Sequence, residues 1–217
     1  MPNGTCYEAR PIILASQSPR RVDLLREAGI AFEAVAPTCV EPDVATWMRS
    51  PEEFVQLAAY QKVSSVAERY PDRVILGADT VVALNGRMYG KPADRDDARR
   101  ILSALAGVTQ DVITGVTILQ PAKGRQLVEC DVTRVTMRPM SEEEIEVYLD
   151  SGEWEGKAGA YGIQGTADRF VEKVEGSFSN VVGLPVERVL RMLAEFDIRP
   201  TYGFSRQPRV SDAQECE

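Results

Sequence analysis

Ile12-Ile13-Leu14-Ala15-Ser16-Gln17-Ser18-Pro19-Arg20-Arg21-Val22-Asp23-Leu24-Leu25 holds the clearest change of pattern in the chain. An apolar run of strand length meets a turn with two serines, then a proline, two arginines and apolar residues at helical spacing. That order predicts strand, loop and helix. Ser18 suits the N-cap, Pro19 the first helical position, where a missing N–H is no loss, and Gly29 the C-terminal stop. The unpaired N–H groups and positive dipole end of such a helix attract anions. Two serine hydroxyls and two guanidiniums would stand beside them, a combination suited to phosphate. A capped helix with solvated arginines has the same spacing, so the stretch alone leaves both readings open.

The chain has 217 residues, 44% hydrophobic and 27% charged, which is a globular composition and enough for one ordinary domain or two small ones. Its net charge of −8 argues against nucleic acid as a partner, because a phosphate backbone needs a basic face. Any phosphate ligand must be held by a local cluster of Lys and Arg. Cys6, Cys39, Cys130 and Cys216 are dispersed, without the close pairs of zinc or redox motifs, and read as reduced thiols in a cytoplasmic protein. No basic segment precedes an apolar run at the N-terminus, and no apolar stretch reaches membrane-span length, so a soluble chain with no membrane partner is expected. Histidine is absent. That excludes Ser-His-Asp and Cys-His catalysis, histidine bases and histidine metal ligands, and leaves carboxylates, lysines, arginines and a hard metal ion.

Outward from the first helix, residues 31–37 read as a strand and 38–49 as a loop carrying Glu41 and Asp43. Ser50-Pro51-Glu52-Glu53 opens a helix running to about Tyr70. Phe54, Leu57, Ala58 and Val66 are spaced for its buried face, and Lys62 is expected to snorkel at the core edge. Residues 74–78 form a buried strand ending at Asp79-Thr80, and a carboxylate at a strand's carboxyl end is where open α/β sheets place working groups. Asn85-Gly86 predicts a hairpin returning Arg87–Tyr89. Gly90-Lys91-Pro92 lacks Walker spacing and the magnesium-binding hydroxyl, so it is no P-loop. A helix over 94–105 leads into a long two-stranded excursion from Asp111 to Arg138. Ser141–Glu144 has capping-box spacing, its acidic run reading as a solvated face. Lys157–Gly165 carries three glycines, so backbone passes close to something, and Gln164 offers the donor and acceptor needed to read a base edge. A strand over 170–174, a loop over 176–184 and a helix from Pro185 to Phe196 follow. No linker divides the chain, which reads as a lead-in (1–11), one α/β domain (12–198) and a tail (199–217).

Taken in order, Ser16-Gln17-Ser18-Pro19-Arg20-Arg21, Gly77-Ala78-Asp79-Thr80-Val81-Val82, Gly90-Lys91-Pro92, Thr114-Gly115-Val116, Lys157–Gly165, and Gly176-Ser177 with Asn180–Pro185 resemble the Maf family of nucleoside triphosphate pyrophosphatases. The resemblance implies a Maf/inosine-triphosphatase-like fold: a mixed twisted β-sheet flanked by helices, with a cleft between two lobes. It implies hydrolysis of a nucleoside triphosphate to monophosphate and pyrophosphate with a divalent cation, Mg²⁺ or Mn²⁺, in a homodimer. By motif position Asp79 is the proton acceptor and Glu41 helps it hold the metal. Ser16, Ser18, Arg21, Lys62, Lys91 and Lys157 fall at phosphate-contacting positions. Arg20, Thr80 and Gln164 fall at substrate-binding positions that separate subgroups, and here resemble the dTTP/UTP group rather than the 7-methyl-GTP group. Two departures are Gln110, where the family often carries histidine, and Tyr60-Gln61-Lys62-Val63, where Lys-Ala is usual. A regulatory nucleotide-binding protein restraining cell division is the competing expectation; a sugar-nucleotide or phosphate-binding domain is the third.

Overall fold

In the computed structural model, which describes residues 10–201, the opening stretch forms strand β1 (Ile12–Ala15) and helix α1 (Pro19–Glu27). Ser18 holds the N-cap position, but its side chain makes no capping bond; its N–H instead donates to Ser16 Oγ at 3.1 Å. Gly29, at φ 71°, turns the chain out of α1 through the left-handed region. Next come β2 (Phe32–Val35), α2 (Pro51–Ala67), β3 (Ile75–Leu84), β4 (Arg87–Tyr89), α3 (Arg95–Leu105), β5 (Thr109–Gln120), β6 (Arg125–Met137), α4 (Glu142–Asp150), β7 (Val171–Glu175), α5 (Phe178–Val182) and α6 (Val186–Ala194). Ser50 caps α2, Asp94 caps α3, and Ser141 with Glu144 closes a reciprocal capping box on α4. Most of the expected lead-in and tail, with Cys6 and Cys216, lies outside the described residues. Among the described residues, no helix is long and apolar enough to cross a membrane.

The strands form one seven-stranded sheet in the order β2-β1-β3-β5-β6-β7, with β4 also on β3. β1 runs parallel to β2 and β3, and the other pairings are antiparallel, so the sheet is mixed. Several expectations are corrected. β5 and β6 are central strands of the sheet rather than an excursion from it. The expected loop over 176–184 contains α5, and α6 starts at Val186 with Pro185 in the capping position. Glu144 and Glu146 of α4 are bonded to Arg138 and to Arg95 and Arg99, so the acidic run is not simply solvated.

β3 does not stop at Asp79; it continues five residues beyond, and its edges explain why the apolar run breaks there. On one side it pairs with β5 from Ile75 to Ala83. On the other it pairs with β1 only at Ile75 and Leu76, and with β4 only from Val82. Residues 77–81 therefore face a notch in the sheet, beyond the end of β1. Alternation sends the even residues of β3 to one face and the odd ones to the other. On the even face, Leu76, Ala78, Val116 and Ile118 pack with α1 and α6, while Val82 and Val112 pack with α3 and α4. Thr80 and Thr114, paired in register, separate these two apolar clusters.

The odd face lies under α2. Phe54, Val55, Ala58, Ala59, Lys62, Val63 and Val66 are its buried residues, whereas Leu57 is 36% exposed. Leu57 sits on the flank of the buried stripe, so the expected face is rotated. Two glycines set how close α2 comes. A Cβ on Gly77 would lie 2.6 Å from Val63 Cγ2, and one on Gly115 would lie 2.3 Å from the Val55 backbone. Gly115 is the register partner of Asp79. Gly115→Ala is expected to push α2 off the sheet and to lower stability by about 1–3 kcal/mol, measured by urea unfolding; an unchanged midpoint would show that α2 does not rest on this contact.

Candidate active site

The notch in β3 opens into a cleft of about 770 Å³. Its floor on the even face is polar. Thr80 Oγ1 lies 2.9 Å from Thr114 Oγ1 and accepts from an Arg21 amino group at 3.0 Å. Arg21 Nε donates to the Gly183 carbonyl at 2.8 Å, which ties α1 to the turn after α5. Burial pushes the Arg21 guanidinium down from its ordinary value, opposed by the charges of Asp79 and Glu41 and reinforced by that of Arg20. Ser16 is buried where β1 ends, and Ser18 stands at the start of α1 on the same wall.

From the odd face, Asp79 points under α2. Lys62 does not snorkel: it is 4% exposed, and its ammonium lies 2.5 Å from Asp79 Oδ1 and 2.8 Å from Glu41 Oε1. Snorkelling gives way because the glycines bring α2 so close that the ammonium finds two carboxylates instead of water. Asp79 Oδ2 makes no hydrogen bond to the described residues. Glu41 comes from the loop after β2 and also approaches half-exposed Lys91 at 3.5 Å. Burial pushes its carboxyl up, but the bonds and charges of Lys62 and Lys91 outweigh that and hold it below its ordinary value. It is therefore ionised at neutral pH.

The far wall is the glycine-rich segment. Arg20 donates to the Gly156 carbonyl at 3.3 Å, and Lys157 Nζ donates to the Glu153 carbonyl. Burial pushes both the Arg20 and Lys157 cations down, and Arg20 adds to the effect on Lys157. Gln164 is exposed on this rim, with no hydrogen bond to the described residues. The cleft lining includes each candidate catalytic, metal-binding and substrate-binding residue named from the sequence motifs. Five cations, Arg20, Arg21, Lys62, Lys91 and Lys157, line it in a chain of net charge −8. Glu41, Asp79, Glu153 and Glu155 line it too, so the excess of positive charge is small and local.

Residues 11–196 match the family described as Maf-like protein. The chain belongs to the Maf family. A "dTTP/UTP pyrophosphatase" of Dictyoglomus thermophilum is 47% identical over 184 residues, covering 85% of this chain and 95% of that protein. A protein of the same name from Bacillus cereus is 44% identical over 193 residues, covering 89% and 99%. A solved structure described as a HAM1 protein from Coxiella burnetii aligns with a TM-score of 0.46 at 14% identity, over 85% of this chain and 98% of that one. In this Maf-family chain Gln110 is buried away from the cleft lining; the surrounding acceptors assign its amide nitrogen to the side of the Val108 and Val135 carbonyls, at 2.9 and 3.3 Å.

Sequence reasoning gave no role to Thr114, Gly183, Glu153 or Asn180, although three of them lie in the quoted motifs or beside one. Asn180 is fully buried. Its Nδ2 donates to the Val112 carbonyl and to Thr133 Oγ1, each at 3.0 Å, pinning α5 and hence Gly183 to the sheet. An amide within a short hydrophobic motif was the available signal, because a buried polar group is retained where it satisfies others. Asn180→Ala should lower stability by about 1–3 kcal/mol, and Asn180→Asp by more, since it turns a carboxylate oxygen onto acceptors. Urea unfolding checks the order; an Asp variant as stable as wild type would contradict this role for the amide.

Proposed function

We propose that this cleft hydrolyses dTTP and UTP between the α and β phosphates, releasing the monophosphate and pyrophosphate. The carrying observation is the Glu41–Lys62–Asp79 cluster at the notch, inside a cation-lined cleft beside the N-terminus of α1. The names and full-length similarity of the Dictyoglomus and Bacillus relatives support the same substrates.

In this reading Asp79 Oδ2 takes a proton from water as its oxygen attacks the α-phosphorus in line, and the bond to the β-phosphate oxygen breaks. In the structure Lys62 occupies Oδ1, which leaves Oδ2 as the oxygen without a hydrogen bond to the described residues. Ser16, Ser18 and the first N–H groups of α1 receive phosphate oxygens, and Arg21, Lys91 and Lys157 neutralise their charge. Arg20, Thr80 and Gln164 distinguish the pyrimidine nucleotide, Gln164 through an exposed amide on the rim.

The residues fit a divalent cation of the Mg²⁺ or Mn²⁺ kind. Glu41 and Asp79 supply hard oxygen donors, and among the described residues no cluster of three or more His, Cys, Asp or Glu could hold a metal unaided. Two carboxylates plus substrate phosphates is the usual way such an ion is held beside a nucleotide. Bound there, it would withdraw charge from the phosphates and the leaving pyrophosphate. We read residues 12–198 as one catalytic domain, acting in the cytoplasm as a homodimer; the dimer rests on the family resemblance.

Purified protein with Mg²⁺ or Mn²⁺ and dTTP, UTP, CTP, GTP or 7-methyl-GTP is expected to release pyrophosphate, not orthophosphate, from dTTP and UTP. Asp79→Asn should reduce this by about 10²–10⁴-fold, the usual weight of a general base. Preference for 7-methyl-GTP would overturn the roles of Arg20, Thr80 and Gln164. Nucleotide binding without turnover would favour the regulatory reading instead.

A further inference from the structure

Lys62 stands in the place where a shared cation would bind. Its Nζ makes charge-assisted contacts of 2.5 and 2.8 Å to Asp79 and Glu41, the two carboxylates at the notch. A divalent cation between those carboxylates and the Lys62 ammonium would compete for the same oxygens, and like charges at that separation in a buried site repel strongly. The surroundings decide which partner can yield. Asp79 is fixed in the middle of β3, and α2 is held on the sheet at Gly77 and Gly115. The lysine stem, with its rotatable bonds, can swing the ammonium without moving either element. Lys62 lines the same cleft as Ser16, Arg21 and Lys91, so phosphate held there is within the cavity the ammonium would enter.

We propose that Lys62 is a positioning residue that competes with the divalent cation for Glu41 and Asp79 and releases both carboxylates when nucleotide phosphate arrives to receive its ammonium. This rests on the reading of Glu41 and Asp79 as the cation's ligands. The device makes cation and nucleotide mutually dependent ligands, since coupling between two sites is reciprocal. Cation alone meets a lysine already in its place. Nucleotide alone meets an ammonium already neutralised by two carboxylates. The two together satisfy every charge in the cluster, so the protein selects the cation–nucleotide complex over either component.

The test uses Mn²⁺ alone as probe, with the free ion counted by electron paramagnetic resonance during titration of the full chain. Lys62→Met and Lys62→Gln are expected to bind Mn²⁺ roughly 5- to 150-fold more tightly than wild type, the usual span of site-to-site coupling. Lys157→Met, which removes a cleft charge bonded to neither carboxylate, is expected to leave Mn²⁺ affinity unchanged. A gain in Lys157→Met equal to that in the Lys62 variants would reduce the effect to general charge and overturn the proposal. So would a Lys62 variant that binds Mn²⁺ no more tightly than wild type. Because either Lys62 variant leaves buried Asp79 without its ion-pair partner and Glu41 with Lys91 alone, its folding is followed in parallel: Mn²⁺ should raise its thermal midpoint by more than it raises that of wild type, and an equal rise would count against the idea. The double variant Lys62→Met/Glu41→Gln separates the two levels. If the tightened binding survives loss of Glu41, the ligand assignment itself fails; if it is lost with Glu41 but absent from wild type, both stand.

Discussion

The close approach of α2 to the sheet is the constraint on which the site depends. Gly77 and Gly115 carry no side chain into the space between helix and strands, so the α2 backbone can rest on β3 and β5. That proximity carries Lys62 from the helix to Asp79, its partner 17 residues away in sequence. Asp79 is buried and Glu41 half-exposed, and two carboxylates brought so close repel each other, with a desolvation cost that falls mainly on Asp79. A lysine delivered between them removes both penalties. Apolar clusters on either side of it, one around Val63 and Val66 and one around Phe54 and Val55, keep the helix from lifting.

The notch in the sheet turns a strand into two half-sites. In an ordinary central strand Asp79 and Thr80 would be separated by the sheet itself, since adjacent residues point to opposite faces. Here β1 ends before them and β4 begins after them, so the cleft reaches both faces around one open edge. Charged chemistry gathers under α2, where Lys62 and Glu41 meet Asp79. The hydrogen-bonded floor of Thr80, Thr114 and Arg21 lies on the other side, between two apolar clusters. Arg21 links the levels, being hydrogen-bonded to Thr80 and Gly183 and within electrostatic reach of Asp79.

What could be read from the sequence was local chemistry. The β1–turn–α1 unit, the Asn85-Gly86 hairpin and the Ser141 capping box are each specified by residues within a few positions of one another, and all appear. The candidate residues converge on one cleft because the notch beside mid-strand Asp79 and Thr80 is where the start of α1, Lys62 of α2 and the glycine-rich segment meet. The misreadings share a different cause. Lys62 read as a snorkelling residue because nothing in its helix reveals carboxylates supplied by β3 and by the loop after β2. Asp79 read as the end of a strand because a polar pair interrupts an apolar run, and the missing neighbour on one edge is a property of three strands together. Leu57 falls on the apolar stripe by spacing yet lies at its flank, because periodicity gives a stripe's direction only to within a flank residue. α5 spans five residues, too short for any period to show.

The most direct measurement follows the oxygen atom. The account places the attacking water beside Asp79 and the α-phosphorus at the notch, so hydrolysis of dTTP by the wild-type protein in ¹⁸O-labelled water, read by mass spectrometry, should put the label in dTMP and leave pyrophosphate unlabelled. Label in the pyrophosphate would mean attack at the β-phosphorus and would contradict the placement of substrate, water and Asp79 together.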